Sequence, residues 1–209
     1  MGNVPFGNYK LSDRQYEREN FLIHDYFFAK TIDKVRTGGV IAFITSNGIS
    51  GGTLDKKDSR ARRYMAQRCD LLGAVRLPNT TFRANAGTDI AVDIVFLQKR
   101  EVPRMPGEPL PEWVETDTLL ENEFVGIDGR ARHDHVTLNR YYQEHPEMVL
   151  GTMTMGRSMY GNETETACQP IPGADLSEQL AEAIQHIAPP DRELLEITAE
   201  QDGEELESI

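Results

Sequence analysis

Cysteine is scarce in this sequence. Its 209 residues include two, Cys69 and Cys168, far apart, with neither a pairing pattern nor metal-ligand spacing. That excludes a disulfide-stapled framework and fits two isolated reduced thiols in a cytoplasmic protein. Long apolar runs are also missing: none approaches the roughly 20 residues of a membrane span. No signal-peptide pattern opens the chain, and a mean hydropathy of −0.49 suits a water-soluble globular protein. Positive charge is scarce in one half only. Residues 1–104 carry 17 Lys and Arg against 11 Asp and Glu, whereas residues 105–209 carry 5 against 23. The net charge of −12 therefore hides a first half able to face a polyanion and a second half that would repel one.

The boundary falls in Val102-Pro103-Arg104-Met105-Pro106-Gly107-Glu108-Pro109-Leu110-Pro111, where four prolines and a glycine imply a linker or a wandering loop. The implied division is 1–102, a linker at 103–112, a small α+β appendage at 113–188, and an acidic, disordered tail at 189–209. That tail has eight acidic residues and one arginine.

The chain opens on Asn3-Val4-Pro5-Phe6, followed by Gly7. Proline fixes its own φ and holds the preceding residue extended, so the Val4 carbonyl has a set direction. The Asn3 side-chain oxygen and that carbonyl can both accept from one amino group, while Phe6 stacks on the ring that bears it. A plain strand-to-loop turn is the competing reading.

A helical pattern begins at Phe21 and continues through Phe28, Ile32 and Val35 to Gly38-Gly39, which should end it. His24 within it has no assigned role. Val40-Ile41-Ala42-Phe43-Ile44 then reads as a strand buried on both faces. At its carboxyl end Thr45, Ser46 and Asn47 are pocket walls or ordinary turn residues. A second helix over 58–69 carries Arg60, Arg62, Arg63 and Arg68 behind Lys56 and Lys57. These cations either meet phosphate or form a solvated face. Residues 71–78 form a strand closed by Pro78. A loop containing Asn79 and Phe82 leads to a last strand over 90–98, antiparallel to its predecessor because no helix pattern separates them.

This order of elements, with the tetrapeptide ending the first strand, resembles the second half of a gamma-class N6-adenine DNA methyltransferase domain. The family's hook is Asn/Asp-Pro-Pro-Tyr/Phe; Asn3, Pro5 and Phe6 match it and Val4 replaces the first proline. Residues 71–99 are similar to the modification subunits of type I restriction systems. The combination also resembles helicase–methylase proteins of mobile elements. The resemblance implies an α/β fold, a partial doubly wound, Rossmann-like methyltransferase sheet lacking its N-terminal strands. It implies catalytic roles for Asn3, Val4, Pro5 and Phe6, and substrate contacts from Asn79 and Phe82, with Phe82 stacking on the base or plugging the core. DNA is the implied partner, with Lys56, Lys57, Arg60 and Arg63 as candidate phosphate contacts. S-adenosylmethionine is the implied cofactor, but its Gly-rich motif lies upstream of the hook in this family. The chain therefore reads as a fragment, inactive alone, that relies on an N-terminal half or a larger polypeptide. A non-catalytic scaffold or nucleic-acid-contacting module is the alternative.

In the second half Trp113 reads as a packing anchor. Phe124-Val125-Gly126-Ile127 suggests a strand, and His133-Asp134-His135 invites a metal but lacks an evident third ligand. Residues 138–144 suggest a short helix, and 175–187 another. No membrane partner is expected.

Overall fold

A computed structural model describes residues 1–5, 7–47, 52–83, 89–125, 131–157 and 164–195. Phe6 and the Gly48-Ile49-Ser50-Gly51 stretch lie outside the described residues.

The first half forms a four-stranded sheet. Strand β1 (Gly2–Asn3) leads through residues 8–22 to helix α1 (Ile23–Lys34) and then to β2 (Val40–Ser46). Helix α2 (Arg60–Arg68) leads directly into β3 (Cys69–Leu77), and β4 (Val92–Lys99) follows. The spatial order is β1-β2-β4-β3. Strands β1 and β2 are parallel, whereas β4 runs antiparallel to both β2 and β3. Strands β1, β2 and β3 thus share one direction, and their carboxyl ends lie at one end of the sheet. The expected antiparallel final pair is present; the last strand inserts between its two predecessors.

Helix α1 buries Phe28 and Ile32 in the core of the sheet and packs Ala29 with Tyr16, Phe21 and Ala61. It stops at Lys34, with Val35 already extended, earlier than the Gly38-Gly39 pair suggests. Gly38 has another task. Its φ is +70°, its N–H donates to the Lys99 carbonyl, and a Cβ there would sit 2.5 Å from the Leu194 carbonyl oxygen. Only glycine fits both the left-handed backbone and that close approach. Leu194 belongs to the stretch expected to be a disordered tail. Asp191 of the same stretch bonds through its backbone to both ends of the Gln98 amide, and residues 192–195 are helical. Residues 196–209 lie outside the described set.

The second half adds hairpin β5 (Thr116–Val125) and β6 (Ala131–Asn139), helix α3 (Arg140–Glu144), hairpin β7 (Thr152–Arg157) and β8 (Thr164–Gln169), and helix α4 (Leu176–Ala183). Asp175 caps α4 by accepting from the Ser177 and Glu178 N–H groups. This half shares its core with the sheet. Trp113, Val114, Leu138, Tyr142, Met148, Leu150 and Ala183 form one apolar cluster with Phe28, Ile32, Met65, Val75, Val95 and Leu97. Val149 bridges in parallel to Arg76, so the second half also lines the outer edge of β3. The Pro-rich connection is pinned as well: Arg104 donates to the Ala66 and Cys69 carbonyls and to Asp70. Among the described residues no helix is long and apolar enough to cross a membrane.

Candidate functional site

The hook sits at the carboxyl end of β1. Asn3 pairs in register with Ile44, and the Val4 N–H donates to the Ile44 carbonyl at 3.1 Å. The Val4 side chain is buried, whereas Asn3 and Pro5 are exposed. Strand alternation thus spends the valine on the core and leaves the Asn3 amide facing solvent. The Val4 N–H thus ties the segment to β2.

Beside the hook, the end of β2 is polar and closed. Thr45 and Asn47 are fully buried. Thr45 Oγ1 lies 3.5 Å from Thr53 Oγ1, and Asn47 Nδ2 donates to Asp55 at 2.9 Å. The buried Asn47 side-chain oxygen has no hydrogen-bond partner among the described residues.

Asp55 opens onto a buried network that inspection of the sequence missed. Arg76 on β3 and Asp93 on β4 face each other in register and form a two-pronged ion pair at 2.8 and 2.9 Å. Arg76 Nη1 also reaches Asp55 at 2.6 Å. Tyr142 donates to Asp93 at 2.9 Å, and its ring lies under the Arg76 guanidinium at 4.4 Å. The Asn139 N–H donates to Asp55 while its side chain donates to the Leu54 and Trp113 carbonyls. Burial opposes charge on Arg76, but Asp55 and Asp93 outweigh it and hold the guanidinium pKa well above its ordinary value. Burial raises the Asp93 carboxyl against the pull of Arg76. Arg62, also buried, donates to the Val114, Thr53 and Lys56 carbonyls. The signal was present in the sequence: Arg76 and Asp93 each lie between apolar neighbours within a strand. Such residues enter a core only when paired.

The candidate phosphate contacts are largely occupied. Lys56 pairs with Asp25 at 2.8 Å. Arg60 pairs with Asp58 and donates to the Glu19 carbonyl, and Arg63 pairs with Glu115 at 2.8 Å. Lys57 is exposed and, among the described residues, has no carboxylate partner. Asn79 and Phe82 lie at the same end of the sheet as the hook but beyond β3, the opposite edge strand. Three strand spacings make that about 14 Å. The Asn79 N–H donates to Cys168 on β8, and Phe82 packs against the main core. The structure therefore joins Asn3, Val4 and Pro5 to the end of β2 and sets Asn79 and Phe82 apart from them. The backbone of His133-Asp134-His135 lies in β6, with side chains outside those described.

At the start of α1, His24 and Asp25 are buried side by side. His24 Nε2 approaches Asp25 Oδ1 to 3.5 Å without hydrogen-bond geometry. Burial lowers the His24 pKa despite the neighbouring carboxylate.

No protein-family model matches this chain, and no solved structure matches it. It is 32% identical over 155 residues to the Defense against restriction protein B of Escherichia phage P1. The match takes in 68% of this chain and 6% of that protein, so the chain corresponds to a small part of its relative.

Proposed function

We propose that this chain is the target-adenine half of an S-adenosylmethionine-dependent N6-adenine DNA methyltransferase domain, acting within a longer polypeptide that protects DNA from restriction. One observation carries the proposal. Asn3-Val4-Pro5 ends a parallel strand at the sheet's carboxyl end, tied by the Val4 N–H to Ile44, with the Asn3 amide in solvent. The strand–helix–strand–helix–strand–strand order with its antiparallel final pair supports it, as does the similarity to a phage protein named for defence against restriction. The link to restriction is chemical. The adenine amino group is a major-groove donor that sequence-reading proteins use, and a methyl group there alters what they read.

In this mechanism the Asn3 side-chain oxygen and the Val4 carbonyl accept the two N–H bonds of the flipped adenine amine. Pro5 holds their angle, and Phe6 stacks on the base. Positive charge develops on the nitrogen during transfer, and the two oxygen dipoles stabilise it. The bound cofactor would supply the methyl group. Among the described residues none forms the Gly-rich strand-to-helix turn that would hold it. Helix α1 opens behind Leu22 and α2 behind Ser59, neither through a Gly-rich turn, so cofactor binding is assigned to other parts of the polypeptide.

A non-catalytic scaffold is the alternative, favoured by the carboxylate pairing of Arg60 and Arg63, which occupies two of the candidate phosphate contacts. Asn3→Ala in the complete protein separates the two. Adenine methylation should fall by about 100-fold, the scale of losing one preorganised polar group, with S-adenosylmethionine affinity unchanged. Unchanged methylation, or equal loss of both, counts against the hook.

A further inference from the structure

The segment that follows the hook folds into a second feature of ligand type. Residues 10–26 enclose a cleft of about 170 Å³, lined by Lys10, Leu11, Tyr16, Glu17, Phe21 and Tyr26, with Asn20 at its rim. A cavity of about 150 Å³ takes one benzene ring, so this cleft suits one aromatic heterocycle and not two. Its rings are held in place. The Tyr16 hydroxyl donates to Asp33 at 2.6 Å and the Tyr26 hydroxyl to Asp13 at 3.0 Å. The two rings meet edge to face with centroids 5.4 Å apart. Tyr16 and Phe21 are buried, so the half-buried Tyr26 is the ring offered to a ligand, and a ring fixed before binding costs little ordering entropy when a ligand stacks on it.

The rim is polar. Lys10 Nζ donates to Asn20 Oδ1 at 2.6 Å, which leaves further ammonium protons for a phosphate and the Asn20 amide N–H for a ring acceptor. Glu17 offers an acceptor for an exocyclic amine. Asn20 has φ +56°, an uncommon conformation that asparagine tolerates, and the turn it makes sends Phe21 inward. An aliphatic ligand would leave these rim groups unpaired, and a single carboxylate in the lining does not make a metal site.

The cleft follows the hook closely in sequence. A Cβ on Gly7 would lie 2.5 Å from the Tyr9 ring, and the Tyr9 carbonyl accepts from the Ile23 N–H, which ties the segment after the hook to the start of α1. Lys10 is five residues beyond Pro5, at most about 18 Å away. That distance is a few nucleotides along one strand.

We propose that this cleft is a subsite for one unstacked nucleobase of the DNA strand that carries the target adenine. The proposal rests on the reading of the hook as the target site. The test is photocrosslinking of the full 209-residue chain to single-stranded 15-mers carrying 5-iodo-deoxyuridine at successive positions around one adenine, with sites mapped by mass spectrometry. Crosslinks to Tyr26 or Phe21 from one or two positions are expected alongside crosslinks to Phe6. Tyr26→Leu should weaken binding about tenfold, the scale of one lost stacking partner. Tyr26→Phe, which keeps the ring but loses the Asp13 bond, should bind nearly as the parent does. Crosslinks confined to Phe6 or Phe82 overturn the subsite and leave the hook standing. Crosslinks confined to the cleft support the subsite and count against the hook; crosslinks at neither overturn both. Equal loss in the Leu and Phe variants overturns the stacking role.

Discussion

Arg76 shows how much one side chain organises. It touches two carboxylates and a tyrosine face in the buried interior and reaches the half-buried Met153 sulfur. A buried ion network adds little net stability over apolar packing, but removing one partner leaves uncompensated charge. Arg76→Met would leave Asp55 and Asp93 buried together. It should cost about 3–5 kcal/mol, measured by urea unfolding. Adding Asp93→Asn should recover part of that loss, because the two residues act as one unit. Simple additivity of the two substitutions would show that the network is not coupled. Asn3 is the opposite kind of residue. It is exposed and contributes little to packing, so its substitution should change chemistry and spare stability.

At the scale of elements, β3 joins the halves. Its pairing with β4 shifts between Leu71 and Gly73, a bulge that turns the Leu72 carbonyl outward to accept from the Ala188 N–H. Gly73 lets the same segment close in, since a Cβ there would lie 2.6 Å from the Ile187 side chain and 3.2 Å from the Tyr141 hydroxyl. Gly73→Val should therefore release residues 184–195, read as earlier tryptic cleavage at Arg192, with the sheet intact by circular dichroism. Unchanged cleavage would place the docking elsewhere. Helix α2 was legible as a basic helix but not as a paired one. Asp58 and Glu115 are near in space, and only Asp58 is near in sequence.

For the whole molecule, the prolines at 103, 106, 109 and 111 suggested a boundary between units, yet the core runs across it. Removing residues 103–209 would expose the cavity left by Trp113, Val114, Leu138, Tyr142, Met148 and Leu150. At about 2 kcal/mol for each buried side chain, that exceeds a typical stability margin of about 10 kcal/mol. A fragment of residues 1–102 should therefore fail to unfold cooperatively, in contrast to the full chain; a sharp thermal transition in the fragment would refute this. It would also lose the Asn139 clamp on Asp55 and the Tyr142 bond to Asp93. The acidic half thus finishes the interior of the basic one, whatever its own surface does.

Local chemistry was enough to place the strands and helices of the first half, because apolar periodicity and the punctuation of Gly and Pro act within a few residues. It was also enough to put Asn3, Val4 and Pro5 at a strand's end. Only the folded chain decided that Arg76 meets Asp93, that Asp55 is clamped from residues more than eighty positions away, and that tyrosines from two distant segments, Tyr16 and Tyr64, both donate to Asp33. Pairing of buried charge depends on which strands become neighbours. That choice is made by the sheet as a whole and leaves only faint marks, such as a charged residue in an apolar strand, in any single stretch.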